Sequence, residues 1–106
     1  MDQEEKLLAI LKRRDEEEIR TNDAIEVLEI MVCDKAVPAL FDVLADAKLS
    51  FSLRRRAALA IYSLGMEDAT VYRMVRLALT GGRDDRRLAA YAMNGPGGRP
   101  NKTSRG

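Results

Sequence analysis

Apolar residues recur along this chain at intervals of three and four, and the runs break at regular places. Leu7, Leu8 and Leu11 come first, followed by Ala24, Val27, Leu28 and Met31 with Ile25 as a flank. Leu40, Val43, Leu44 and Ala47 make a third stripe, and Leu53, Ala57, Ala60, Ile61 and Leu64 a fourth. Val71, Met74, Val75, Ala78 and Leu79 form a fifth; Leu88, Tyr91 and Ala92 form a sixth. Such spacing places side chains on one face of a helix. It predicts six helices, at about 2–14, 18 or 21–32, 37–46, 53–64, 69–79 and 84–93. The first is apolar on one side only, which suits the capping position of a stacked array.

Start and stop signals frame these stripes. Pro38 suits a first helical turn, where its missing N–H is not needed. Ser50 or Ser52 caps the following helix through its hydroxyl, and Gly65 ends it in a left-handed conformation. Asp68 is the candidate cap of the fifth helix, Thr80-Gly81-Gly82 its end, and Asn94-Gly95-Pro96 the stop of the sixth. Glu4 and Glu5 open the first helix and Lys12, Arg13 and Arg14 close it, as the helix dipole favours. Leu49 and Phe51 are expected to tuck under the neighbouring unit. The Arg54-Arg55-Arg56 triplet spans most of a turn at about 100° per residue. The three side chains therefore diverge: one meets Asp46 or an acid in the next unit, and the others face water.

The stripes repeat. Ala24, Val27, Leu28 and Met31 precede Ala57, Ala60, Ile61 and Leu64 by 33 residues, and these precede Leu88, Tyr91, Ala92 and Gly95 by 31. Val37, Leu40 and Val43 return as Val71, Met74 and Leu77 after 34. Two helices per period of this length is a solenoid signature. It gives units at about 1–34, 35–66 and 67–95, with a tail over 96–106.

The middle unit carries a resemblance. Ala36-Val37-Pro38-Ala39-Leu40, Val43-Leu44-Ala45-Asp46, Leu53-Arg54-Arg55-Arg56-Ala57-Ala58-Leu59-Ala60-Ile61 and Leu64-Gly65 resemble the HEAT repeat, in particular the short bacterial type, which includes pigment-lyase-like repeats. The likeness implies an all-α, right-handed α-solenoid of about three antiparallel helix pairs. It also implies a structural ladder between units in which Asp46 and Arg54 take part. The third unit departs from the pattern, with Gly81-Gly82 where the turn Asp belongs. Loosely the resemblance covers 1–95; its specific part is 36–65. The bulky-aromatic signature of tetratricopeptide repeats, which share the period, is missing.

Charge changes the picture more than composition does. The net charge of the 106 residues is +1, yet residues 1–53 hold 13 acids against 7 bases and residues 54–106 hold 4 against 11. Such polarity steers partners or aligns copies head to tail. Asp15-Glu16-Glu17-Glu18 reads as a solvated turn or helix start, without the glycine and ligand spacing of a calcium loop. No apolar run reaches the roughly 18 residues of a membrane span, and the acidic start is no secretory signal. A cytoplasmic protein with no membrane contact is expected. Cys33, the one cysteine, reads as a part-buried filler, and with no histidine in the chain nothing stands by to activate it. The tail has no apolar anchor and should be disordered alone, and Ser104 and Thr103 beside Lys102 and Arg105 make a phosphorylation switch there conceivable. Asn101-Lys102-Thr103 matches a glycosylation sequon that means nothing without a secretory signal.

Three functions are weighed. HEAT-like arrays mostly bind proteins along their second helices, so the resemblance implies a non-catalytic adaptor or assembly subunit. Its partner would be another protein, a larger assembly or a second copy of the chain. Arg55, Arg56, Tyr62, Arg86 and Arg87 are the candidate contacts, among flanks such as Glu26 and Glu29 that solvent alone would also explain. The alternative is nucleic-acid binding through Arg54, Arg83, Arg99, Lys102 and Arg105, helped by Arg73 and Arg76, as some DNA-repair glycosylases are built from HEAT-like hairpins. No Trp is present to wedge bases apart. The third, an enzyme or a bilin-handling relative, lacks an acid–base or metal constellation; no cofactor is expected.

Overall fold

The computed structural model describes residues 2–13 and 17–96. It is all-α: α1 (Gln3–Lys12), α2 (Glu18–Ile30), a 3-10 turn (Asp34–Ala36), α3 (Val37–Ala45), α4 (Phe51–Leu64), α5 (Asp68–Thr80) and α6 (Arg83–Asn94). No strand occurs among the described residues. The tail from residue 97 onward, with Arg99, Lys102 and Arg105, lies outside them, as do Asp15 and Glu16 of the acidic run.

Helices neighbouring in sequence pair off: α1 with α2, α3 with α4, and α5 with α6. The pairs then meet through like members. α4 packs against α2 on one side and α6 on the other, while α3 packs against α1 and α5. The central pair therefore supplies most of the interior. Leu40, Val43, Leu44, Leu53, Ala57, Ala60 and Ile61 are all buried, with Leu28 from α2, Met74 from α5 and Leu88 and Ala92 from α6. The run of alanines on α4 lets its neighbours approach closely on both sides.

The capping chemistry resolves the open choices. Ser50 caps α4: its Oγ accepts the Leu53 N–H at 3.2 Å and donates to Glu18 Oε1 at 2.5 Å. The Ser50 N–H donates to Glu18 Oε2 at 3.0 Å, so the start of α2 holds the α3–α4 loop. Those two bonds, the hydroxyl's first, lower the Glu18 pKa. Pro38 sits in the first turn of α3. Asp68 is the first residue of α5 and not its cap, which is Glu67 with no side-chain bond.

Several stripe positions differ from expectation, each for a local reason. Ala47 is exposed because α3 ends at Ala45 and Asp46 turns outward into the loop, its carboxylate accepting the Lys48 N–H at 3.0 Å. Ile25 is wholly buried and Met31 exposed. Met31 is the C-cap of α2: its backbone is still helical and its N–H donates to Val27 O at 2.9 Å, but its side chain lies exposed at the helix end. Its exit is a Schellman motif: Cys33 N–H donates to Leu28 O at 3.0 Å and Val32 N–H to Glu29 O at 3.0 Å, the paired bonds that end many helices. The left-handed position of that motif belongs to Val32, with φ 53°. A β-branched residue there is strained. Val32 is exposed, so Val32→Gly removes strain without opening a cavity. It is expected to raise stability by about 1 kcal/mol, read as a higher thermal midpoint.

The fifth stripe is only half used. Met74 and Thr70 are buried, whereas Val71, Tyr72, Val75 and Leu79 are exposed.

Candidate functional site

The arginine triplet is sorted by the neighbours of α4. Arg54 points inward: its Nε donates to Leu44 O at 2.8 Å and its Nη2 to Asp85 Oδ1 at 2.6 Å, with the side chain 5% exposed. Arg56 turns to α2, where its Nη1 lies 2.8 Å from Glu29 Oε1. That contact is ionic rather than an aligned hydrogen bond, as Glu29 Oε1 is buried without a hydrogen-bond donor. Arg55 turns to α6. One arginine thus ties the second pair to the third, one ties it to the first, and one stays on the surface.

Asp85 reaches Arg54 because the turn before it is made of glycine. Its Oδ2 accepts the Gly82 N–H at 3.1 Å, half of a capping box, glycine having no side chain for the other half. A Cβ on Gly81 would sit 2.7 Å from Leu77 O as well as against Asp85 itself. A side chain at Gly81 would take the space of the carboxylate that α6 supplies, whereas Gly82 has open space around it. Asp46 accepts the Lys48 N–H in its own loop.

Along the seam between α4 and α6 lies a cluster of two aromatic rings and two guanidiniums. Arg55 Cζ is 5.0 Å from the centre of the Tyr91 ring, and Arg87 Cζ is 4.9 Å from the centre of the Phe51 ring. The two pairs keep the same sequence separation, so α4 and α6 run in the same direction and in register. Both rings are half-buried and both arginines exposed. A guanidinium set over a ring face is held by the ring's quadrupole, and here Arg55 and Arg87 both also hydrogen-bond the Tyr91 side chain. Tyr62, also exposed, closes the far end of the seam, its ring laid on the backbone of Gly95. A Cβ there would come within 2.9 Å of Tyr62 Cζ, which the exposed ring can yield to, but the φ of 92° leaves any other residue strained.

Arg55 first, then Arg87, lowers the pKa of the Tyr91 phenol below its usual value of 10. A depressed acid stabilises the folded state only above its unfolded pKa, and that gain is lost as pH falls through the folded value. An absorbance titration is expected to show Tyr91 ionising below its usual range, and Arg55→Met is expected to move that ionisation back up.

The remaining candidates lie apart from this seam. Arg86 is exposed and donates to Gly81 O at 3.2 Å. Arg83 is exposed on a shallow groove that it shares with Arg54, Asp84 and Asp85. On the other layer Arg73 stacks on Phe41 at 4.3 Å and reaches Asp42 at 3.2 Å, and Arg76 lies 5.9 Å from the Tyr72 ring centre. Cys33 is buried and donates to Glu4 Oε2 at 3.0 Å. Burial, with that carboxylate second, pushes its thiol pKa up and keeps it in the unreactive protonated form.

Phe51 and Tyr91 complete the seam although neither was a candidate: one was read as a loop tuck and the other as core. The available signal was an aromatic and an arginine one turn apart on both helices, Phe51 with Arg55 and Arg87 with Tyr91. A groove of about 450 Å³ lies elsewhere, lined by Asp34, Lys35, Val37, Pro38, Leu64, Gly65, Met66, Glu67 and Thr70. Among the described residues no group of three His, Cys, Asp or Glu could hold a metal ion, and no helix is long and apolar enough to cross a membrane. Comparison with protein-family models, with curated proteins and with solved structures returns no match.

Proposed function

We propose that the chain is a HEAT-like solenoid of three helix pairs acting as a non-catalytic protein-interaction module, an adaptor or assembly subunit, and that its docking surface is the α4–α6 seam. The pairwise order of contacts, α2 to α4 to α6 and α1 to α3 to α5, supports the solenoid. The observation that carries the docking surface is the pair of exposed arginines set over the rings of Tyr91 and Phe51. Exposed Arg and Tyr are frequent interface anchors. Here their rotamers are already held by the rings beneath, so less entropy is lost when a partner binds. The chemistry they select is a protein segment bearing carboxylates, with Tyr62 offering an apolar face at one end.

The test is affinity capture from the source cells with the intact chain, in parallel with an Arg55→Ala, Tyr62→Ala, Arg87→Ala triple variant. A partner retained by the first and lost with the second is expected. Equal recovery on both, or none on either, contradicts the reading. Nucleic-acid binding keeps a place in the same experiment. Arg54, one of its candidates, is buried on Asp85 and unavailable; Arg83 is exposed, and Arg99, Lys102 and Arg105 lie outside the described residues. Affinity for a single-stranded oligonucleotide that falls steeply with salt would replace the protein partner with phosphate.

A further inference from the structure

Two ends of the helix stack carry surfaces shaped like the two sides of its internal junctions. In the middle pair, Val37 and Phe41 are 5% and 6% exposed, with Arg73 of α5 lying over Phe41. Thirty-four residues on, the period already noted between these helices, stand Val71, Val75 and Leu79, matching Val37, Phe41 and Ala45. Their exposures are 36%, 39% and 78%. They are the stacking face of the third pair, apolar like its predecessor and uncovered by any described residue. On α6 the exposed Arg86 and Met93, seven positions apart and hence on one side of the helix, stand where Arg55 and Tyr62 of α4 stand in the preceding unit.

The opposite end offers the matching recess. A groove between α1 and α2 is lined by Leu7, Ile10, Arg20, Asp23, Ala24 and Val27. Ile10 and Val27 precede the buried Val43 and Ala60 by the 33-residue period. They occupy the places where an interior unit receives its predecessor. The ends also differ in charge in the required sense: 13 acids against 7 bases in residues 1–53, and 4 against 11 in residues 54–106. Asp23 in the groove and Arg86 beside the ridge are the local members of that contrast.

We infer that copies of this chain stack head to tail, the ridge of Val71, Val75, Leu79 and Met93 on one copy entering the α1–α2 groove of the next. The contact repeats the one between successive pairs inside the chain, and it rests on the helix-pair stacking of the solenoid reading but not on the α4–α6 seam. It is heterologous, so each copy keeps one unused end and growth does not stop at two. A symmetric dimer would bury ridge on ridge and leave the groove and its charge unused.

Sedimentation velocity of the intact chain over a concentration series tests this. The expected result is a weight-average mass that climbs past the dimer as concentration rises. Leu79→Glu, at an exposed site that leaves the core alone, should remain monomeric at concentrations where the wild type associates. Val27→Glu should do the same, with Asp23→Arg as a fully exposed substitute should the half-buried valine cost folding, judged by circular dichroism. Mixing the ridge variant with the groove variant restores one good junction, and a one-to-one dimer that grows no further is expected. A wild-type monomer at every concentration overturns the inference. So does a dimer that Leu79→Glu leaves intact, or two variants that fail to complement. The seam substitutions Arg55→Ala and Arg87→Ala should leave self-association unchanged, so failure of the docking reading and failure of the stack are separable.

Discussion

Leu44→Ala is expected to cost the domain about 2–5 kcal/mol, the range for truncating a buried leucine. Leu44 is wholly buried at the end of α3, in the central pair that touches both neighbours. Its carbonyl also accepts the Arg54 Nε bond, so local collapse to fill the void would disturb that bond. A domain of this size holds only about 5–15 kcal/mol in total, and the loss should lower the thermal midpoint by roughly 10–40 °C. Urea unfolding followed by circular dichroism reads it directly. A change under about 1 kcal/mol would mean that the α3–α4 interface is not the interior.

Arg54→Met is expected to cost about 2–3 kcal/mol although it keeps most of the side chain's volume. The methionine fills the space of the arginine stem, so little of the loss is packing. What disappears is the bond to Leu44 O and the pair with Asp85. A buried carbonyl left without its donor costs about 1–3 kcal/mol. Breaking a fully buried ion pair costs about 3–5 kcal/mol, but the Asp85 side chain is 24% exposed and water takes up part of the deficit. Arg54→Lys should recover only part of the loss, because an ammonium on a flexible stem does not reproduce a fork that serves two acceptors at once. Arg55→Met, one residue along, should change stability by less than about 0.5 kcal/mol, as a surface substitution does. If Arg54→Met and Arg55→Met proved equal, the division of the triplet between interior and surface would be wrong.

Much of the helical plan was legible because burial and helical period coincide in the central pair. Leu40, Val43, Leu44, Ala57, Ala60 and Ile61 were read as core from spacing alone and are buried. Spacing failed at Ala47, where α3 ended early, since a stripe carries no information about where the backbone leaves helical phase; Met31 keeps that phase but lies exposed at the end of α2. It failed differently on α5: Val71, Val75 and Leu79 have the right period, but period says nothing about whether a neighbour exists to cover the face. The triplet shows a third limit. Rotation per residue required three directions for Arg54, Arg55 and Arg56, but assigning them needs the positions of α2 and α6. Asp85 was equally opaque, because Asp84 and Asp85 look alike as acids in a first helical turn. The room left by Gly81, which a Cβ would take from Asp85, distinguishes them. Phe51 and Tyr91 were misread for the opposite reason: an aromatic at a stripe position reads as core, while here each ring is a half-buried platform for a guanidinium.

The helix stack depends on α4 joining its neighbours, with Arg54 fastening the third pair to the second. A double-mutant cycle between Arg54→Met and Asp85→Asn, measured by urea unfolding, isolates that link from the separate bonds that Leu44 O and Gly82 N–H make. A coupling of about 1 kcal/mol or more between the two substitutions is the predicted result. Additivity within about 0.5 kcal/mol, as for residues that do not touch, would contradict it.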